Sequence, residues 1–229
     1  SPAHKVIDKM GHSPYIPVYA CTTGSPMKSG GEDAIDVIIE GWVAQGSRVL
    51  DLGCGDGSLL RRLVTTRHVE GIGVEISQDM VIQCLKKGLC VYQADIDKGL
   101  AQWDDLSFDT VILKSTLDVI RRPCELLGDM LRVGRNAVVT VSNFGYAPNR
   151  MHILLKGSVS PRSRSMKPWH ATEVIRYVCL AEFLDTLVSM GIDAIDSRYV
   201  LPFAGIVEML PPLSNVLVRE AIFLLGRSA

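Results

Sequence analysis

No stretch of the chain stays apolar for the roughly 20 consecutive residues that a membrane-spanning helix requires. The richest region, 200–225, is broken by Pro202, Glu208, Pro211, Pro212, Asn215, Arg219 and Glu220, so no span is expected. Residues 1–26 lack the apolar core of a secretory signal: His4, Lys5, Asp8, Lys9 and His12 interrupt them, together with Pro2, Pro14, Pro17 and Pro26. The 6 cysteines (Cys21, Cys54, Cys84, Cys90, Cys124, Cys179) form no Cys-x-x-Cys pair. That excludes a disulfide framework, argues against a metal site, and fits reduced thiols in a cytoplasmic protein. An excess of one charge is also missing. Lys+Arg number 24 and Asp+Glu 25, a net charge of −1, which supports neither a nucleic-acid binder nor an acidic scaffold. No internal repeat or low-complexity tract occurs. What is present is a chain of 229 residues, 47% hydrophobic and 21% charged, sufficient for one globular domain with a full core.

Residues 1–31 are rich in Pro, Gly, Ser and Thr and lack periodicity, and read as a poorly ordered extension. A domain is expected over 32–229. Ile35, Ile38, Ile39 and Trp42 fall on one helical face, and Arg48–Leu52 is a short apolar strand. Strand and helix then alternate: strands at 71–76, 89–93, 108–113 and 137–141, helices around Leu59–Val64, Val81–Leu85 and Cys124–Arg132. Runs such as Val111-Ile-Leu113 suit strands buried on both faces, hence a mostly parallel sheet in an α/β fold. Residues 144–178 hold no convincing strand. A helix follows over Leu180–Leu187, and two apolar segments, 194–201 and 216–225, look like a closing antiparallel pair.

The strongest motif is Val49-Leu-Asp-Leu-Gly-Cys-Gly-Asp-Gly-Ser58. A strand feeds Gly53-x-Gly55-x-Gly57, and a helix follows at once. The glycines allow a tight turn and close approach of a ligand to the backbone. A dinucleotide fingerprint is spaced G-x-G-x-x-G; here the third glycine comes one residue early. Asp51 brings a carboxylate to the loop, which repels pyrophosphate and suits a ligand amine. Together these favour S-adenosylmethionine over NAD. Glu75 ends the second strand, where it can accept from both ribose hydroxyls. Asp95 follows the third strand and can accept from an adenine amino group. Ile76 and Ile96 can sandwich the adenine. Taken singly, each feature also fits a plain turn or a helix cap; the ordered set is what points to a nucleoside site.

These residues resemble class I S-adenosylmethionine-dependent methyltransferases. More narrowly, about Met27 to Leu201 resembles the MetW family of methionine biosynthesis proteins. The carrying blocks are 46–57, Gly71-Ile-Gly-Val-Glu-Ile76, Phe108-Asp-Thr-Val-Ile-Leu113, Met130-Leu-Arg-Val-Gly-Arg135, Ser142-Asn-Phe-Gly145 and Leu154-Leu-Lys-Gly157. The resemblance implies a Rossmann-like seven-stranded sheet, ordered 3-2-1-4-5-7-6 with an antiparallel last strand, and a natural start near Met27. It implies cofactor contacts from Asp51, Gly53, Cys54, Gly55, Gly57, Glu75, Ile76, Asp95, Ile96 and Lys114. It further implies action alongside homoserine O-acyltransferase, and it supplies no methyl acceptor. The chain departs from the family at Lys114-Ser-Thr-Leu-Asp118 and at Trp169-His-Ala-Thr-Glu-Val-Ile-Arg176, so any role of the replaced groups is not carried over.

Residues 144–178 are a basic insert, or lid, at the carboxyl end of the expected sheet. Arg150, Lys156, Arg162, Arg164, Lys167 and Arg176 face a single acid, Glu173: six minus one, or +5. A solvated lid, an anionic substrate and an acidic partner surface all fit; nucleic acid fits less well, since no recognition motif accompanies the charge. Methyl transfer mainly requires positioning, with a base where the acceptor must lose a proton. Asn143, Tyr146, His152 and His170 are the polar groups near the insert, and none is assigned as catalytic. Two functions follow. One is a MetW-like protein that binds S-adenosylmethionine or S-adenosylhomocysteine and acts through the acyltransferase. The other is an active methyltransferase on a small anionic acceptor. A degenerate fold that binds no cofactor ranks below both.

Overall fold

Strand β1 (Arg48–Leu52) and strand β4 (Phe108–Leu113) lie side by side at the centre of the sheet, Asp51 opposite Ile112 and Leu52 opposite Leu113. Their side chains alternate between two apolar layers, because successive residues of a strand point to opposite faces. Leu50, Leu52, Val111 and Leu113 enter one core; Val49 and Ile112 enter the other. Burial on both faces is why these strands read as unbroken apolar runs.

The computed structural model describes residues 31–159, 174–201, 205–208 and 213–227. The remaining elements are α1 (Gly31–Trp42), α2 (Ser58–Arg67), β2 (Glu70–Glu75), α3 (Gln78–Lys86), β3 (Cys90–Gln93), α4 (Pro123–Val133), β5 (Gly134–Ser142), α5 (Ala147–Lys156), α6 (Leu180–Ser189), β6 (Ile192–Leu201), β7 (Gly205–Val207), α7 (Ser214–Leu217) and β8 (Glu220–Arg227). The sheet order is β3-β2-β1-β4-β5-β8-β6-β7. Strands β1 to β5 pair in parallel, and β8 runs antiparallel between β5 and β6. Without β7 this is the expected seven-stranded order. The eighth strand is a three-residue addition that pairs antiparallel with the end of β6 at the sheet's edge. The last strand begins at Glu220, not near 216: residues 214–217 form the helical turn α7 instead.

Helices α1 and α2 cover one face through Ile35, Ile39, Leu59 and Leu63. Helices α4 and α6 cover the other through Leu127, Met130, Leu131, Leu180, Phe183 and Leu187. Pro123 at the start of α4 suits a position whose N–H would have no helical partner. Chain order reverses direction between β1 and β4: β2 and β3 are added on one side, β5 and β8 on the other. In open α/β sheets the crevice at such a switch point, beyond the strands' carboxyl ends, is where ligands bind. Here Gly53 and Lys114 follow directly on the two strand ends.

The reading of residues 1–31 as an extension lies outside the described residues except for Gly31, which already belongs to α1; Met27, His170 and the part 160–173 of the basic insert lie outside them too. The described part of that insert is helical over α5 and carries no strand.

A candidate nucleoside-binding site at the switch point

The glycine loop hangs on β2. Gly53 and Cys54 both donate their backbone N–H to the Val74 carbonyl, at 2.8 and 3.1 Å. Glu75 holds it from the other side: one carboxylate oxygen accepts from Gly55 N at 2.9 Å, the other from Ser77 N at 2.8 Å. Both oxygens therefore brace the loop and the start of α3. A carboxylate oxygen has more than one acceptor position, so room for further donors remains.

Two glycines show why the loop needs them. Gly57 has φ +75°, and a Cβ there would fall 2.5 Å from Leu89 Cδ1 and 2.8 Å from Cys84 Sγ. That position faces the protein. Gly55 has φ +55°, and a Cβ there would have nothing within 4 Å. That position faces open space, as a backbone surface against which a ligand lies must. Between them Asp56 accepts from the Ser58 N–H and hydroxyl and from Lys87 Nζ at 2.7 Å. The Lys87 bond, with that of Ser58, holds the Asp56 carboxyl down at about 2.

Asp51 is the site's electrostatic anomaly. It is 2% exposed, and its Oδ2 has no hydrogen-bond partner. A buried carboxylate oxygen left without a donor is costly and calls for an explanation. Burial pushes the Asp51 carboxyl up to about 7, helped by the charges of Asp36 and Glu75 and opposed by Lys114. Lys114 itself is bound to Asp36 of α1, Nζ to Oδ1 at 2.5 Å. The pattern of residues alone missed Asp36, since nothing in α1 announces a partner 78 positions along the chain. Lys114 is thus placed at the carboxyl end of β4 with its charge already engaged.

The other expected contacts are distributed as follows. The Cys54 thiol turns into a small apolar cluster with Leu60, Cys84 and Leu89, 4.0 Å from the Cys84 sulfur, and burial raises its pKa strongly. Only its backbone is part of the loop surface. Asp95 caps the turn at Ile96–Lys98 by accepting from Asp97 N at 3.1 Å. Ile96 packs on the core from that turn, whereas Ile76 stands 64% exposed beyond β2.

Among the polar groups near the insert, Asn143 is buried and its amide is used within the chain. It donates to the Asn215 and Val218 carbonyls and accepts from Gly145 N and Leu180 N. Both of its donor positions and two acceptor positions knit β5 to α6 and α7, a structural task. Tyr146 caps α5 and His152 lies half-buried along it. Four described cations of the region are likewise engaged: Lys87 with Asp56, Lys114 with Asp36, Arg150 with the Gly145 carbonyl, and Arg176 with the Ile120 and Arg121 carbonyls. Among the described residues no group of His, Cys, Asp and Glu could hold a metal ion, and no helix is long and apolar enough to cross a membrane.

Comparison with known proteins agrees with this architecture. The chain is 34% identical over 160 residues to the bifunctional methionine biosynthesis protein MetXA/MetW of Rhodopirellula baltica, covering 66% of this chain and 26% of that one. It is 32% identical over 124 residues to the carboxy-S-adenosyl-L-methionine synthase of Haemophilus ducreyi, 53% of this chain and 48% of that protein. The chain therefore spans about a quarter and about half of these two relatives. In fold it is similar to a SAM-dependent methyltransferase of Thermotoga maritima, with TM-score 0.61 and 16% identity over 84% of this chain and 87% of that one. It is also similar to a SAM-dependent methyltransferase of Archaeoglobus fulgidus, with TM-score 0.60 and 16% identity over 86% and 92% of the two chains. The sheet is thus the mostly parallel α/β sheet of these methyltransferases, with an antiparallel strand near its end. The family described as methionine biosynthesis protein MetW matches residues 33–225, and the chain belongs to that family.

Proposed function

We propose that this protein binds S-adenosylmethionine or S-adenosylhomocysteine at the switch point and acts in methionine biosynthesis together with a homoserine O-acyltransferase. The observation that carries the ligand assignment is the buried, unpartnered Oδ2 of Asp51 beside the open backbone at Gly55. An amino-acid ammonium supplies the donors that this oxygen lacks, and a nucleoside ligand can lie against a backbone free of Cβ atoms. Gly53, Cys54 and Gly55 would contribute backbone, Glu75 would receive ribose hydroxyls, Asp95 the adenine amino group, and Ile76 and Ile96 its faces. Lys114 would keep the two acids around the amine from repelling each other. When bound, S-adenosylmethionine supplies an electrophilic methyl group; this chain's residues bind and orient it. The partner assignment is supported by the joining of MetXA and MetW in one chain in the Rhodopirellula baltica relative. The absence of an apolar span among the described helices is compatible with action in the cytoplasm.

Calorimetric titration with each ligand, followed by co-purification with the acyltransferase, tests the proposal. Saturable binding and a complex that changes acyltransferase turnover are expected. No heat of binding would remove the ligand assignment, and no complex would remove the partner. Methyl transfer to a small anionic acceptor draws no support from Lys87, Lys114, Arg150 and Arg176, each of which is engaged within the chain.

A further inference from the structure

Helix α5 stands apart from the other long helices in what it buries, which is no residue completely. Its N-terminus is tied down: Asn149 Nδ2 donates to the Phe144 carbonyl at 3.2 Å, and Arg150 Nε donates to the Gly145 carbonyl. Beyond that point Met151, Leu154 and Leu155 recur at i, i+3 and i+4, the spacing of one helical stripe. That stripe points outward. Leu154 is 76% exposed and Leu155 70%, Met151 is about half open, and Val159 continues the apolar surface past the helix end. His152 and Ile153 take the half-buried side. An amphipathic helix normally turns such a stripe to the core; contiguous apolar surface left open marks an interaction site.

Along the described segment the charge is of one sign: Arg150 and Lys156 flank the stripe, and residues 144–159 contain no Asp or Glu. A partner must therefore offer an apolar groove with carboxylates at its rim, the mode in which a helix lays its apolar face into a groove and charge steers the encounter.

We propose that the outer face of α5, Met151, Leu154 and Leu155 between Arg150 and Lys156, is the docking surface for the homoserine O-acyltransferase. This rests on the partnership proposed above. The location is favourable for coupling: α5 follows the carboxyl end of β5 at Ser142, the end of the parallel strands at which the candidate nucleoside site also lies.

The test uses the full chain and the purified acyltransferase of the same organism, with affinity measured by biolayer interferometry. The Leu154→Asp/Leu155→Asp double variant is expected to weaken the complex by about 30-fold or more, the scale of lost hot spots. Lys156→Glu is expected to weaken it several-fold and to flatten its dependence on salt. Val188→Asp, at another exposed apolar site on α6, serves as control and is expected to change nothing. Melting curves and S-adenosylmethionine titration establish that each variant is folded. Wild-type binding with the double variant within about twofold overturns the docking surface and leaves the partnership standing. No binding by the wild type overturns both. Two results reassign the face and also overturn the proposal. One is a wild-type dimer in sedimentation that the double variant abolishes while still binding the acyltransferase. The other is a several-degree fall in melting temperature with an unchanged complex, the sign of a segment of this chain lying on the stripe.

Discussion

At the scale of single residues, Asp51 links stability to function with opposite signs. Its carboxyl sits at about 7 in the folded protein against an ordinary 3.8, chiefly through burial. The folded state therefore takes up a proton in that interval. Stability from this group is full below about pH 4 and is lost as pH rises through about 7, by an amount on the order of 4 kcal/mol. A ligand ammonium requires the ionised form, so affinity moves the other way. Asp51→Asn is expected to remove this slope from the melting temperature between about pH 4 and 7 and to lose S-adenosylmethionine. Melting curves across pH, paired with titration, check both; an unchanged slope would mean that another group titrates there. The glycines divide similarly. Gly57→Ala drives a methyl into Leu89 and Cys84 and should unfold the loop, lowering stability by about 2 kcal/mol or more. Gly55→Ala meets open space and costs only the left-handed backbone, about 1 kcal/mol, but is expected to weaken ligand binding more than it lowers stability. Comparing the two losses in each variant separates the roles.

At the scale of elements, α1 reaches the site through one ion pair. Lys114 and Asp36 have side chains 21% and 14% exposed, so the pair is largely withdrawn from water. Removing only the lysine strands two carboxylates, Asp36 and Asp51, close together. Lys114→Met is expected to cost about 2 kcal/mol, less than the 3–5 typical of a fully buried pair. Asp36→Asn in the same chain should recover most of it. A double-mutant cycle on denaturant midpoints measures the coupling; a value near zero would reduce the pair to surface decoration. This pair also marks how far pattern reading carries. The strands, the helices of both layers and the loop Gly53–Gly57 were legible, because buried parallel strands and amphipathic helices leave periodic signatures in consecutive residues. Lys114 was legible as a departure, but its partner was not. An ion pair between elements 78 positions apart leaves no local signature. The same limit hid the tasks of Glu75 and Asn143: hydrogen bonds to backbone groups of distant segments depend on the assembled fold. The short β7 was missed because three residues show no period.

At the scale of the whole molecule, the near-zero net charge conceals a separation. Asp51, Glu75 and Asp95 stand at or just after the carboxyl ends of β1, β2 and β3, while the described charges of the stretch after β5, Arg150, Lys156 and Arg176, are all positive. The proposed ammonium ligand would be drawn to the first group, and the proposed acid-rimmed partner to the second. The consequence measurable on the intact chain is linkage. A ligand that binds only the folded state stabilises it by RT ln(1 + [L]/Kd), about 2.7 kcal/mol at a hundredfold excess over Kd. For a domain of this size each kcal/mol moves the midpoint by about 2–4 °C, so S-adenosylmethionine should raise Tm by roughly 5–10 °C. Because the proposed ammonium contact demands ionised Asp51, that shift should shrink below about pH 7: with Asp51 about a tenth ionised at about pH 6, affinity falls about tenfold from its value at about pH 8. Thermal denaturation with and without ligand at the two pH values checks this. A shift independent of pH would take the ligand amine away from Asp51, and no shift at all at saturating ligand would remove the nucleoside from the switch point.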